Sequence, residues 1–207
     1  MTRAKAPGRR PAGSGGGTGR LRIIGGRYRG RRLPIPDQPG LRPTADRVRE
    51  TLFNWLAPVL PGARCLDLFA GSGAIGFEAA SRGAGEVVLI ERNTAVARQL
   101  HANVLTLAAP QVSVIQADAL AWLATGARPF DLVFIDPPFA DDLLVPTCAR
   151  LADGGWLAPG ARVYLETAAR VGFPPLPAGW DLIRDSTAGQ VRFGIALIHP
   201  AAGIAAD

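Results

Sequence analysis

The sequence predicts an α/β fold. A mostly parallel seven-stranded sheet carries helices on both faces, an antiparallel C-terminal strand completes it, and a small N-terminal β-ribbon and helix precede it. Three observations lead there. From residue 63 onward, short apolar runs alternate with stretches of helical periodicity, the rhythm of strands joined by crossover helices. The apolar runs lack polar alternation, as strands buried on both faces do. After residue 180 the rhythm gives way to two strand-like runs around Ala188-Gly189, a hairpin signal.

The elements follow in order. Residues 1–20 hold six glycines, five basic residues and almost no apolar side chains, so they cannot bury enough surface to offset chain entropy and are expected to be a disordered basic tail. Residues 21–36 (LRIIGGRYRGRRLPIP) place β-prone runs around Gly25-Gly26 and Gly30, which predicts a hairpin or bent ribbon. A helix follows Arg42-Pro43-Thr44, with Thr44 or Asp46 as N-cap and Val48, Leu52, Trp55 and Leu56 at helical spacing; Pro58 and Pro61 end it. Strands are expected at 65–69, 86–91, 112–116, 131–135 and 161–166, with helices over about 74–82, 94–107, 119–123 and 141–152 between them. The runs 180–184 and 190–198 supply the closing pair. The expected organisation is therefore a tail (1–20), a ribbon and helix (21–60), the α/β domain (61–199) and a short C-terminal tail (200–207).

Composition narrows the class. The chain has 207 residues, 48% hydrophobic and 19% charged, close to the size of one domain. No uncharged apolar run reaches the length of a membrane-spanning helix, and the N-terminus lacks the apolar core of a secretory signal. Two cysteines, Cys65 and Cys148, cannot build a disulfide scaffold, so a reducing cytoplasm is the expected compartment. His101 and His199 stand alone, and no metal site is expected. The net charge of +6 conceals a division: residues 1–49 carry +11 and residues 50–207 carry −5. A basic front on an acidic body suggests that the front meets a polyanion.

Chemistry concentrates at three places. Residues 67–76 (DLFAGSGAIG) set Gly71, Gly73 and Gly76 in a G-x-G-x-x-G spacing between a strand and a helix, where glycines allow a tight turn and a close approach of ligand to backbone. Glu91 ends the next strand, where a carboxylate can hold two ribose hydroxyls. An adenosine-containing cofactor is expected from this pairing, and NAD remains possible at this point. Asp67 discriminates: a carboxylate at this loop repels a pyrophosphate and attracts a cationic amino group, which favours S-adenosylmethionine. Asp67 can also serve simply to cap the following turn. Asp118 ends the third strand, where it can accept from the adenine amine, cap the next helix, or both. Phe69, Arg92 and Ala119 flank these positions and are candidates for the same pocket.

The fourth strand runs into Asp136-Pro137-Pro138-Phe139. The two prolines stiffen the turn and remove backbone donors, leaving the Asp136 carboxylate and the Pro137 carbonyl as acceptors on one rigid support. Together they can take both hydrogens of an NH2 group and aim its lone pair at an electrophile. Phe139 offers a flat face for a base. A rigid turn with a buried phenylalanine is the plainer alternative.

With these residues in place, the sequence resembles the class I S-adenosylmethionine-dependent methyltransferases that modify exocyclic amines. More closely, it resembles the bacterial 16S ribosomal RNA guanine-N2 methyltransferases that act on guanine 966. The resemblance covers about residues 21–199. It rests on RIIGGRYRGRRL (22–33), RPTADRVRETLFNWL (42–56), DLFAGSGAIGFEAASRGA (67–84), IER (90–92), DPPF (136–139) and GQVRFG (189–194). It implies a Rossmann-like fold with Asp67, Gly71 and Gly73 at the methionine part of the cofactor, Glu91 at the ribose and Asp118 at the adenine. Asp136 and Pro137 would orient the guanine amine and Phe139 would stack on the base, with no metal. The implied partner is 16S ribosomal RNA, within the small subunit or an assembly intermediate, met by a monomer.

The basic front then has a use. Arg22, Arg27, Arg31, Arg42, Arg47 and Arg192 are candidate phosphate contacts, with Arg49 as another and Thr44 nearby; Tyr28 is a candidate to stack on an unpaired base. Three rivals remain at this stage: a dehydrogenase on the same glycine loop, a DNA adenine-N6 or cytosine-N4 methyltransferase, and a catalytically silent RNA-binding module.

Overall fold

The computed structural model describes residues 19–36, 38, 45–138 and 141–199. Its centre is a seven-stranded sheet built from β3 (Arg64–Asp67), β4 (Glu86–Glu91), β5 (Val112–Gln116), β6 (Phe130–Ile135), β7 (Leu157–Ala168), β8 (Trp180–Ala188) and β9 (Val191–Ile198). Their order across the sheet is β5-β4-β3-β6-β7-β9-β8. The strand order reverses between β3 and β6, which pair in parallel, as β3 also pairs with β4 and β6 with β7. β9 lies antiparallel between β7 and β8. The C-terminal hairpin expected from Ala188-Gly189 therefore inserts its second strand into the sheet and leaves its first at the edge.

The five parallel strands read as continuous apolar runs because both faces are covered. Along β3 and β4, Cys65, Val87 and Leu89 face one core, while Leu66, Val88 and Ile90 face the other. The first core holds α1 (Asp46–Leu56), α2 (Ala74–Ser81) and α3 (Thr94–Leu107); the second holds α4 (Ala119–Trp122) and α5 (Leu144–Asp153). α3 starts where the sequence says it should: the Asn93 side chain accepts from the Ala95 and Val96 N–H groups at 2.9 and 3.1 Å, a cap worth about 1 kcal/mol. α1 starts differently from expectation. Ala45 occupies the N-cap without a side-chain bond, and Asp46 is the first helical residue, paired with Arg49 at 2.6 Å and Arg22 at 3.3 Å.

All eight residues of α2 are buried, because a further layer covers its outer side. That layer is the N-terminal ribbon, β1 (Gly19–Arg22) paired antiparallel with β2 (Arg32–Ile35). Leu21, Ile23, Leu33 and Ile35 join the first core. Each such side chain contributes roughly 1.5–3 kcal/mol over its exposed state. Strand β1 begins at Gly19, so Gly19 and Arg20 are ordered where a tail through residue 20 was expected.

A buried polar knot fixes this layer. Glu78 of α2, fully buried, accepts from the Ile24 and Gly25 N–H groups at 2.8 Å each and from Arg82 at 2.7 Å, with the buried Arg49 guanidinium at 3.5 Å. Ser81 Oγ accepts from the Tyr28 N–H and donates to the Gly25 carbonyl. Among the described residues no helix is long and apolar enough to cross a membrane.

Candidate active site

Parallel strands point their carboxyl ends to one side, and the reversal of strand order leaves a crevice there. In this chain the crevice is a cavity of ≈ 630 Å³. Each of the five parallel strands brings an acid to it: Asp67 at the end of β3, Glu91 at the end of β4, Asp118 just after β5, Asp136 just after β6 and Glu166 near the end of β7.

Asp67 lies at the buried end of this set. Burial pushes its pKa up to about 7, with the Glu91 charge acting the same way, although the Phe69 and Gly76 N–H groups donate to its carboxyl. Both the cap role and the cavity position are therefore real. A carboxyl held this far above the usual range is stabilised as an anion by any cation that reaches it.

The glycine loop is tied to the next strand. Gly71 N–H donates to Glu91 Oε2 at 2.9 Å, and Asn93 N–H donates to Oε1 at 2.7 Å. Each carboxylate oxygen keeps acceptor capacity beyond these bonds. Gly73, between the cavity-lining Ser72 and Ala74, N-caps α2 in the left-handed region (φ 77°), and a Cβ there would strike the Phe77 ring and Leu100. Gly76 lets α2 close onto β4, since a Cβ would collide with Leu89. Phe69 and Gly71 border the cavity, and so do Arg92 and Ala119. Arg92 pairs with Asp141 at 3.0 Å across the rim. Asp118 N-caps α4 by accepting from Ala121 N–H at 3.0 Å.

Asp136 and the buried Pro137 border the same cavity as the glycine loop. Phe139 lies outside the described residues, as do Arg42 and Thr44. Glu166 is the residue that the sequence reading missed. It is 6% exposed, borders the cavity, accepts from the Tyr164 hydroxyl at 2.6 Å and hydrogen-bonds with the Asp136 carboxyl. Burial raises its pKa, while its bonds with Tyr164 and Asp136 act the other way. A signal existed: Glu166 ends a strand as the other acids do, and Y-x-E spacing puts Tyr164 and Glu166 on one face.

The candidate RNA contacts divide. Arg22, Arg27, Arg31 and Arg47 are exposed, Arg31 also donating to the Thr106 carbonyl at 2.9 Å. Tyr28 is not available for stacking on a base. It is 5% exposed, packed in the first core, and its hydroxyl accepts from Gln111. Arg49 is no phosphate contact either, being 1% exposed and bound to Glu78 and Asp46. Arg192 is held by both oxygens of Asp185 and lies over the Phe173 ring at 5.0 Å.

Comparison with known proteins agrees with this geometry. Residues 21–196 match the family described as Conserved hypothetical protein 95. Ribosomal RNA small subunit methyltransferase D of Escherichia coli is 54% identical over 177 residues, covering 86% of this chain and 89% of that protein. The protein of the same name from Haemophilus influenzae is 44% identical over 181 residues, covering 84% and 92%. Among solved structures, the Escherichia coli methyltransferase yhhF superposes with a TM-score of 0.83 at 49% identity, covering 87% of this chain and 99% of that one. An RNA methyltransferase from Salinibacter ruber, in complex with S-adenosyl-L-homocysteine, shares the fold at 20% identity, with a TM-score of 0.58 and coverage of 80% and 99%. The chain belongs to the Conserved hypothetical protein 95 family, that of the ribosomal RNA small subunit methyltransferase D proteins.

Proposed function

We propose that this protein transfers a methyl group from S-adenosylmethionine to the exocyclic N2 amine of a guanine in 16S ribosomal RNA. The observation that carries the reading is that the Asp136-Pro137 turn borders the same cavity as the Asp67, Glu91 and Asp118 carboxyls. That set of acceptors fits the cofactor. Asp67 matches its amino group, Glu91 its ribose hydroxyls and Asp118 its adenine amine, with Phe69, Arg92 and Ala119 beside them. The same acids count against a dehydrogenase, because a pyrophosphate would meet carboxylates rather than donors.

S-adenosylmethionine, when bound, supplies an electrophilic methyl group. This chain's residues supply position. The Asp136 carboxyl and the Pro137 carbonyl accept the two amine hydrogens and orient the nitrogen lone pair; holding reactants in line is worth several orders of magnitude in rate. A guanine inside folded RNA leaves its stack to reach such a cavity. The exposed arginines of the ribbon and α1 hold the RNA backbone, aided by the basic residues of the N-terminal tail and by Arg42. We place the work in the bacterial cytoplasm, on the small subunit or an assembly intermediate, by a monomer.

The test separates binding from chemistry. Asp136→Ala keeps S-adenosylmethionine affinity by calorimetry and loses label transfer to rRNA. Lost cofactor binding with intact folding would move Asp136 into the cofactor site instead.

A further inference from the structure

The GQVRFG run (189–194) brings Gln190 and Val191 to the cavity, beside Ala188. The turn between β8 and β9 is held from two sides there. Val191 pairs with Ala188 of β8 and with Ala168 of β7, and the Ala169 N–H donates to the Gln190 carbonyl at 2.8 Å. Gly189 takes a positive φ of 60°, and Gln190 does not. A two-residue turn of that kind asks for glycine at its first position only, so nothing in the turn requires glutamine at 190. The Gln190 side chain is exposed, and among the described residues its amide has no hydrogen-bond partner. Asn93, another amide at the cavity, is by contrast committed to the cap of α3.

The strand order sorts the cavity from one side to the other. Asp118, Glu91 and Asp67 stand at the ends of β5, β4 and β3, Asp136 follows β6, and Glu166, Val191 and Ala188 belong to β7, β9 and β8. The acceptors matched to the cofactor fill the first side, so a base whose amine is held at Asp136 extends toward the second. That side offers apolar side chains to the ring: Ala188 and Val191 are cross-strand partners on one face, and Val48 of α1 also borders the cavity. Two strand spacings, about 10 Å, separate β6 from β9. A six-membered ring with a hydrogen bond of about 2.9 Å at either end covers a similar distance.

We propose that Gln190 is a specificity residue whose amide reads the Watson–Crick edge of the target guanine, accepting from N1–H and donating to O6, while Asp136 and Pro137 hold N2. The inference rests on the guanine-methylating function proposed above. An amide sets an acceptor beside a donor, and so matches an edge that sets a donor beside an acceptor. A carboxylate has no donor for O6, and an arginine has no acceptor for N1–H. Unstacked bases of RNA are read on this edge.

The experiment uses small subunits reconstituted with 16S rRNA that carries guanine or 2-aminopurine at the methylated position, mapped first by label from the wild-type protein. 2-Aminopurine keeps the N2 amine and lacks both N1–H and O6. The wild type prefers guanine by about 10- to 100-fold in kcat/KM, the discrimination that a bidentate amide supplies. Gln190→Ala keeps its melting temperature and S-adenosylmethionine affinity, loses about 10- to 100-fold on guanine, and matches the wild type on 2-aminopurine, so the preference collapses. A merely structural role would lower both substrates equally. Gln190→Glu, of the same shape without the donor, loses at least as much on guanine. A wild-type preference in Gln190→Ala, or full activity of Gln190→Glu on guanine, would overturn the role of Gln190 and leave the proposed function standing. A preference lost in Gln38→Ala and kept in Gln190→Ala would overturn it as well, in favour of the other glutamine at the cavity. Wild-type protein that labels no guanine in any RNA would overturn the proposed function, and this inference with it.

Discussion

Glu78→Ala is the sharpest test of how the basic front is attached to the catalytic body. The Glu78 side chain is fully buried, and its oxygens accept two backbone N–H groups of the ribbon at 2.8 Å, those of Ile24 and Gly25. It also meets Arg82 at 2.7 Å and Arg49 at 3.5 Å, the latter 1% exposed. Removing one partner from a buried charged network typically costs about 3–5 kcal/mol, since the remaining charge and donors stay desolvated. Against a total stability of about 5–15 kcal/mol, that is a large fraction. The expected result in urea is a lowered midpoint corresponding to 3–5 kcal/mol. Trypsin should cut early within Arg20–Arg32, because the ribbon loses its anchor before the sheet unfolds. Arg98→Ala, at an exposed site on α3, should change stability by less than about 0.5 kcal/mol. A loss below about 1 kcal/mol for Glu78→Ala, with the trypsin pattern unchanged, would refute the view that this knot holds the ribbon.

Other expectations follow from the same geometry. Asp67 holds its proton up to about 7 when folded and releases it near 3.8 when unfolded, so its contribution to folding stability is fully present below about 4 and is lost as pH rises to 7. Three pKa units correspond to ~4 kcal/mol, and Asp67→Asn should flatten the slope measured by urea denaturation between pH 5 and 8; an unchanged slope would assign it to another group. Deleting residues 1–18 removes four basic side chains, so log affinity for RNA against log salt should become shallower by about 3. If affinity is insensitive to salt in both forms, phosphate contacts do not drive binding. Tyr28→Ala should destabilise the fold by about 3–5 kcal/mol, as a core aromatic does, with RNA affinity of the folded fraction unchanged.

Much of the body was legible because its signals are local. The run EVVLIE and the periodicity of residues 94–107 place β4 and α3 at their observed bounds. Strand β7 was not legible in full: it starts at Leu157, and Pro159 and Gly160 hide its first turn from a propensity reading. The insertion of β9 between β7 and β8 depends on long-range pairing that a hairpin signal does not encode. At the site, Asp67, Glu91, Asp118 and Asp136 could be found because each acid sits beside a motif. Glu166 has no motif; only its place at the end of a strand connects it to the others. The misreadings share one cause. Tyr28 and Arg49 sit among arginines in a sequence that looks like a solvated RNA-facing surface, and the docking of the ribbon on α2 buries both. Net charge identified the front as basic, yet it could not tell which of its side chains face water.

The most direct measurement is methyl transfer itself. Protein incubated with labelled S-adenosylmethionine and isolated small subunits, naked 16S rRNA or DNA should place label in 16S rRNA, recovered as N2-methylguanine after digestion. Label confined to DNA, or recovered on another atom of the base, would contradict the account.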